Sequence, residues 1–94
     1  MAIVISPKIR EKLASKHNVT AEEIAQCFAN RTGNFLLDTR EDHASDPPTR
    51  WFISETDYGR KLKVVFVAKD GDIFIRSAFA PNQTEQSIYN NFGL

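Results

Sequence analysis

Apolar positions change their spacing about a third of the way along this chain, from a helical period to runs typical of strands. Behind Ser6-Pro7, residues Ile9, Leu13 and Ala14 share one helical face. Ser6 is placed as N-cap, and Pro7 suits the first turn because the donor it lacks would have no partner there. The spacing predicts a helix over about 7–16, closed at His17-Asn18. Thr20 with Glu23 three residues on reads as a capping box, and Val19, Ile24, Cys27 and Phe28 supply the stripe of a second helix over about 20–29. After the turn cluster Asn30-Arg31-Thr32-Gly33, Phe35-Leu36-Leu37 marks a short strand over about 34–38.

Asp38 to Arg50 is polar and aperiodic and carries Pro47-Pro48, so it reads as a loop. Three β-rich runs follow, at about 51–56, 61–69 and 72–80. Asp70-Gly71 joins the last two as a two-residue hairpin turn, which pairs Lys69 with Asp72. Continued without interruption, that register puts Ala68 with Ile73, Phe66 with Ile75, Val64 with Ser77 and Leu62 with Phe79 on an apolar face. Lys61, Lys63, Val65, Val67, Phe74 and Arg76 fall on the other. Taking Asp57-Tyr58-Gly59-Arg60 as a four-residue turn adds Trp51 and Ile53 to the apolar face, and Phe52, Ser54 and Thr56 to the mixed one. Asn82 and Glu85 form a second capping box, opening a helix over about 83–92 that Gly93 ends. The sum is one α+β domain: a four-stranded antiparallel sheet, two N-terminal helices over its apolar face, and a C-terminal helix.

Composition narrows the function classes. With 94 residues and 41% hydrophobic content, the chain can enclose one core. Twelve basic and twelve acidic side chains cancel, so any polyanion surface must come from local clustering. The single cysteine, Cys27, excludes an intrachain disulfide framework and suits a reducing compartment, so the cytoplasm is expected. The N-terminal residues do not read as a signal peptide, and no stretch is long and apolar enough for a membrane span. Glycine-rich phosphate loops, HExxH pairs and GxSxG elbows are absent.

Lys61, Lys63 and Arg76 are the strongest candidates for chemistry, three cations from adjacent strands on one sheet face, suited to phosphates. Solvation of an exposed face accounts for them equally well. Glu85 and Tyr89, four apart on the last helix, place a carboxylate and a phenol together, although capping already explains Glu85 and packing explains Tyr89. His43, beside Asp42 and Asp46, reads as a solvated loop histidine, His17 as a helix-terminal one, and Cys27 as a buried inert thiol. No metal or cofactor is expected.

Several segments, read in order, resemble the BrnT toxins of bacterial type II toxin-antitoxin systems, a branch of the RelE-like superfamily. Lys16-His17-Asn18-Val19-Thr20-Ala21-Glu22-Glu23-Ile24 through Phe28 is similar to that family's K-H-G-V-S-x-E-E-A stretch, with Asn18 for its glycine. Gly59-Arg60-Lys61-Leu62-Lys63-Val64-Val65-Phe66 resembles its G-R-x-L-x-V-V strand. Ile75-Arg76-Ser77-Ala78, with Glu85 and Tyr89 downstream, resembles I-S-A-R-x-A with E-x-x-x-Y, although Phe79 stands where the family has an arginine after Ser-Ala. The resemblance implies a RelE-like fold and metal-independent endoribonuclease activity, in which the 2′-hydroxyl of RNA attacks the adjacent phosphate. It makes Lys61, Lys63 and Arg76 the phosphate cations and Glu85 and Tyr89 the proton-transfer or orienting groups. It also implies RNA, free or ribosome-bound, and an antitoxin-like protein as partners. Phe79 and the neutral charge point to weakened activity, and the alternative is a non-catalytic module of the same fold that binds an antitoxin-like partner.

Overall fold

A computed structural model describes residues 2–38 and 47–94. Along the chain run β1 (Ile3–Val4), α1 (Pro7–Lys12), α2 (Ala21–Ala29), β2 (Leu36–Leu37), β3 (Thr49–Glu55), β4 (Lys61–Lys69), β5 (Asp72–Phe79) and α3 (Gln83–Phe92). The sheet order is β1-β5-β4-β3-β2, with β1 parallel to β5 and all other neighbours antiparallel.

The local signals act as their chemistry dictates. Ser6 Oγ accepts the Ile9 N–H at the start of α1, and both Thr20-Glu23 and Asn82-Glu85 close reciprocal capping boxes. Past Lys12 the first helix widens into a π turn over Leu13–His17, which Asn18 ends in the left-handed conformation at φ 52°. Asp70 and Gly71 both take positive φ, 53° and 83°, and Lys69 faces Asp72.

Helices α1 and α2 cover one sheet face. Leu13, Val19, Ile24 and Cys27 meet Phe52, Leu62, Val64, Phe66, Ile75 and Ala78 in a core where none of these side chains is more than 3% exposed. Phe28, Phe35, Phe52 and Phe66 pack edge-on, with ring centroids 4.7 to 6.2 Å apart. The opposite face carries α3, whose Tyr89 ring lies 5.8 Å from that of Trp51.

Several expectations need correction. The sheet is five-stranded and mixed, because Ile3–Val4 pairs with Ile73 and Phe74. A two-residue parallel edge strand has no periodicity of its own, and its partners lie some seventy residues away. The strand expected over 34–38 is only Leu36–Leu37, and the one expected from 51 begins at Thr49, so Thr49 and Arg50 belong to the ladder. The helix expected over 7–16 is α-helical only to Lys12.

The face assigned to Trp51 and Ile53 is reversed. The β3-β4 loop has three residues, Asp57-Tyr58-Gly59, with Gly59 at φ 82° and the Thr56 N–H donating to the Arg60 carbonyl at 2.9 Å. One residue fewer in the loop changes the parity of β3, so Phe52 joins the helix-facing core while Trp51 and Ile53 share a face with Lys63. Finally, a bulge between Phe66 and Val65 shifts the far half of the last hairpin: Arg76 is the extra residue, Val64 pairs with Ala78 rather than Ser77, and Lys63 rather than Leu62 pairs with Phe79. Phe79 therefore lies at the margin of the sheet, not in the core, with its ring 5.7 Å from that of His17. His43, Asp42 and Asp46 lie outside the described residues.

Candidate functional site

The face of the sheet away from α1 and α2 brings Lys61, Lys63, Glu85 and Tyr89 into one neighbourhood around α3 and Trp51, and among the described residues no contact ties Arg76 to them. Lys61 and Lys63 stand two apart on β4, so their side chains leave the same face. Lys61 is exposed, with its Nζ 3.4 Å from Gln86 Oε1 on α3. Lys63 is 6% exposed and donates to Glu85 Oε2 at 2.6 Å. Its ammonium also sits 4.5 Å from the centre of the Trp51 ring and 5.6 Å from that of Phe79. Glu85 thus holds α3 in two ways, because Oε1 accepts the Asn82 N–H of its own cap while Oε2 holds Lys63.

Tyr89, one turn further along α3, is buried, and its hydroxyl donates to the Asn34 carbonyl at 2.8 Å. Burial raises its pKa, partly opposed by the nearby Arg31 guanidinium, so the phenol stays protonated. Gly33 and Gly93 make this docking possible. A Cβ on Gly33 would lie 2.5 Å from the Tyr89 hydroxyl, and one on Gly93 would lie 2.5 Å from the Tyr89 ring. Arg76, the bulge residue of β5, is exposed and has no ion pair among the described residues.

Two clefts flank these groups. One, of ≈ 570 Å³, lies between β2 and α3 and is lined by Leu36, Leu37, Trp51, Lys63, Ile88 and Phe92 among others. The second, of ≈ 620 Å³, is more polar and includes Asn30, Thr32, Thr56, Asp57 and Lys61. Among the described residues no group of three His, Cys, Asp or Glu is arranged to hold a metal ion.

Sequence reasoning missed Trp51 as the aromatic partner of Lys63. The signal was present in Gly59 at the third position of its loop, the usual place for a left-handed glycine in a three-residue hairpin connection. It also left unexplained why Arg60 accompanies Lys61 and Lys63. The Arg60 guanidinium donates to the carbonyls of His17 and Asn18 at 3.0 and 2.7 Å and to the Glu23 carboxylate at 3.1 Å, joining the end of the π turn to the start of α2. Burial pulls the Glu23 pKa up, but the Thr20 N–H and Arg60 together outweigh it and leave the carboxyl below its ordinary value.

Set against solved structures, the chain matches the crystal structure of the ribonuclease toxin BrnT of Brucella abortus with a TM-score of 0.64, over 88% of this chain and 99% of the toxin, at 18% identity. The chain has a BrnT-like fold. No family model matches the sequence. No curated protein matches it either. At this level of identity the likeness to BrnT is one of architecture, so the chemistry has to be read from the side chains themselves. No helix among the described residues is long and apolar enough to cross a membrane.

Proposed function

We propose that the chain is a single BrnT-like toxin-type domain that binds RNA in the cytoplasm and cleaves it without a metal, with an antitoxin-like protein as its partner. The observation that carries this reading is the likeness to a ribonuclease toxin along nearly the whole chain, together with three cations on one sheet face. In the proposed reaction the 2′-hydroxyl attacks the adjacent phosphorus and expels the 5′-oxygen, leaving a 2′,3′-cyclic phosphate. Lys61, Lys63 and Arg76 compensate the charge growing on the phosphoryl oxygens. An incoming phosphate takes the place of the Glu85 carboxylate on Lys63, the released carboxylate accepts the 2′ proton, and the departing 5′-oxygen takes a proton from water. Tyr89, whose hydroxyl is held by Asn34, orients α3.

The engagement of Lys63 and Tyr89 inside the fold supports weakened activity and favours a second reading, a non-catalytic module that holds a partner protein. Purified protein incubated with unstructured RNA in the presence of a chelator separates the two. Cyclic-phosphate ends that disappear in Lys63→Ala and Arg76→Ala, with the folded circular dichroism spectrum retained, support the nuclease. Intact RNA, together with growth unaffected by induced expression, removes it.

A further inference from the structure

The chain has seven phenylalanines. Phe28, Phe35, Phe52 and Phe66 form the aromatic core, Phe79 lies between His17 and Lys63, and Phe92 is 73% exposed at the end of α3. Phe74 has no ring partner among the described residues, although it sits in a strand paired on both sides, opposite Val67 of β4 and Val4 of β1. Ile73 and Ile75 beside it are 4% and 3% exposed on the helix-covered face, so strand alternation turns Phe74 and Arg76 to the opposite face. The ring contact and hydrogen bonds that α3 makes on that face go to Trp51, Lys61 and Lys63, and Phe74 is 38% exposed. A ring carried by a residue paired on both sides has little backbone freedom left to lose on binding.

Charge decides what such a ring would receive. Arg76 stands two residues along on the same face, about 7 Å away. As the bulge residue it lies opposite Val65 and Phe66, and among the described residues no carboxylate is paired with it. The nearest acidic residue of β5, Asp72, already accepts the Ala2 N–H. A flat apolar surface about the size of one base, bordered by a guanidinium that has no ion pair among the described residues, matches an unpaired nucleobase and its phosphate. We propose that Phe74 is a stacking platform for one unpaired base of a single-stranded RNA whose adjoining phosphate is held by Arg76. This deepens the RNA reading above and rests on it for the ligand, but not on cleavage.

The test uses the full chain and an eight-nucleotide single-stranded RNA with 2′-O-methyl sugars, which cannot be cut, alongside a duplex of the same sequence. Fluorescence anisotropy measures both affinities across a salt series, and circular dichroism checks that each variant is folded. Phe74→Ala and Phe74→Leu are expected to weaken single-strand binding about tenfold, Phe74→Trp to preserve it, and the duplex affinity to stay within about twofold throughout. Arg76→Ala is expected to lower the salt slope by about 0.7, and Phe74→Leu to leave it unchanged. Wild-type affinity in Phe74→Leu overturns the platform, and does so even if unmodified RNA is cut normally. Binding that depends on Phe74 without any cleavage upholds the platform and removes the nuclease. Failure of the wild type to bind single-stranded RNA, or a wild-type dimer that Phe74→Ala dissociates in sedimentation, overturns the platform as well.

Discussion

Removing the carboxylate of Glu85 is expected to destabilise the fold more than removing the ammonium it pairs with. Lys63 and Glu85 side chains are 8% and 19% exposed and 2.6 Å apart. Deleting one partner of a buried pair costs about 3–5 kcal/mol when the other cannot reach water. Glu85→Ala leaves Lys63 in that position and also removes the Glu85 half of the α3 capping box, worth up to about 1 kcal/mol, while the Trp51 ring returns about 1 kcal/mol to the stranded ammonium. The expected net loss is about 3–5 kcal/mol. Glu85→Gln keeps an acceptor for the Asn82 N–H and for Lys63, so about 2 kcal/mol is expected. Lys63→Met lays a thioether over Trp51 and leaves a carboxylate that is partly hydrated and still capping, for about 1–2 kcal/mol. The double variant Lys63→Met/Glu85→Gln strands no charge. It should fall short of the sum of its singles by about 2 kcal/mol. Urea unfolding followed by Trp51, the sole tryptophan, measures all four, with an unchanged m-value as the control. Single losses that add to within about 0.5 kcal/mol would refute a coupled buried pair.

The Glu23–Arg60 pair gives a pH dependence of known sign. Because the folded pKa of Glu23 is below 4.5, its stabilisation is full above that value and lost as pH falls through the folded pKa, and Glu23→Gln should flatten this acid limb of stability in thermal melts. Arg60→Ala also frees two carbonyls and is expected to cost about 1–3 kcal/mol by urea unfolding, against about 0.5 kcal/mol for an exposed ion pair alone. Burial, assisted by the Glu23 charge and only partly opposed by Arg60, pushes the Cys27 thiol up to about 11, so a disulfide reagent at pH 8 should leave the native protein unmodified and react once in urea. Gly33→Ala places a Cβ 2.5 Å from the Tyr89 hydroxyl and 2.8 Å from the Gly93 carbonyl oxygen, and should lower stability by about 1–3 kcal/mol in the same unfolding assay.

The parts of the fold legible in the sequence are those whose cause is local. Ser6-Pro7, Thr20-Glu23 and Asn82-Glu85 open helices through contacts spanning three residues, and Asp70-Gly71 fixes its hairpin with two. The misses come from counting and from distance. Reading four loop residues at 57–60 instead of three inverted every side chain of β3, because strand periodicity turns one residue of error into a change of face. The bulge at Arg76 and the parallel pairing of Ile3–Val4 depend on neighbours that no local pattern announces. The shared face of Lys61 and Lys63 follows from their spacing alone. The burial of Lys63 depends on where α3 docks, and that is set by Gly33, Asn34 and Gly93 closing on Tyr89.

The residues that resemble the BrnT family are largely occupied in holding the frame. Gly59 supplies a left-handed turn, Arg60 and Glu23 join the two most similar segments to each other, Glu85 caps α3, and Tyr89 anchors it. Their need in folding explains why they occur in these positions whether or not RNA is cut, so the separation of nuclease from binding module rests on Lys63. Leaving its ammonium buried without a partner would cost about 3–5 kcal/mol. Exchange of the carboxylate for a phosphate oxygen on the same ammonium keeps the cation paired throughout and avoids most of that cost. On the proposed reading the exposed cations Lys61 and Arg76 would bring the phosphate to that point, so their removal would be a loss in binding, while the removal of Lys63 would be a loss in any step that follows.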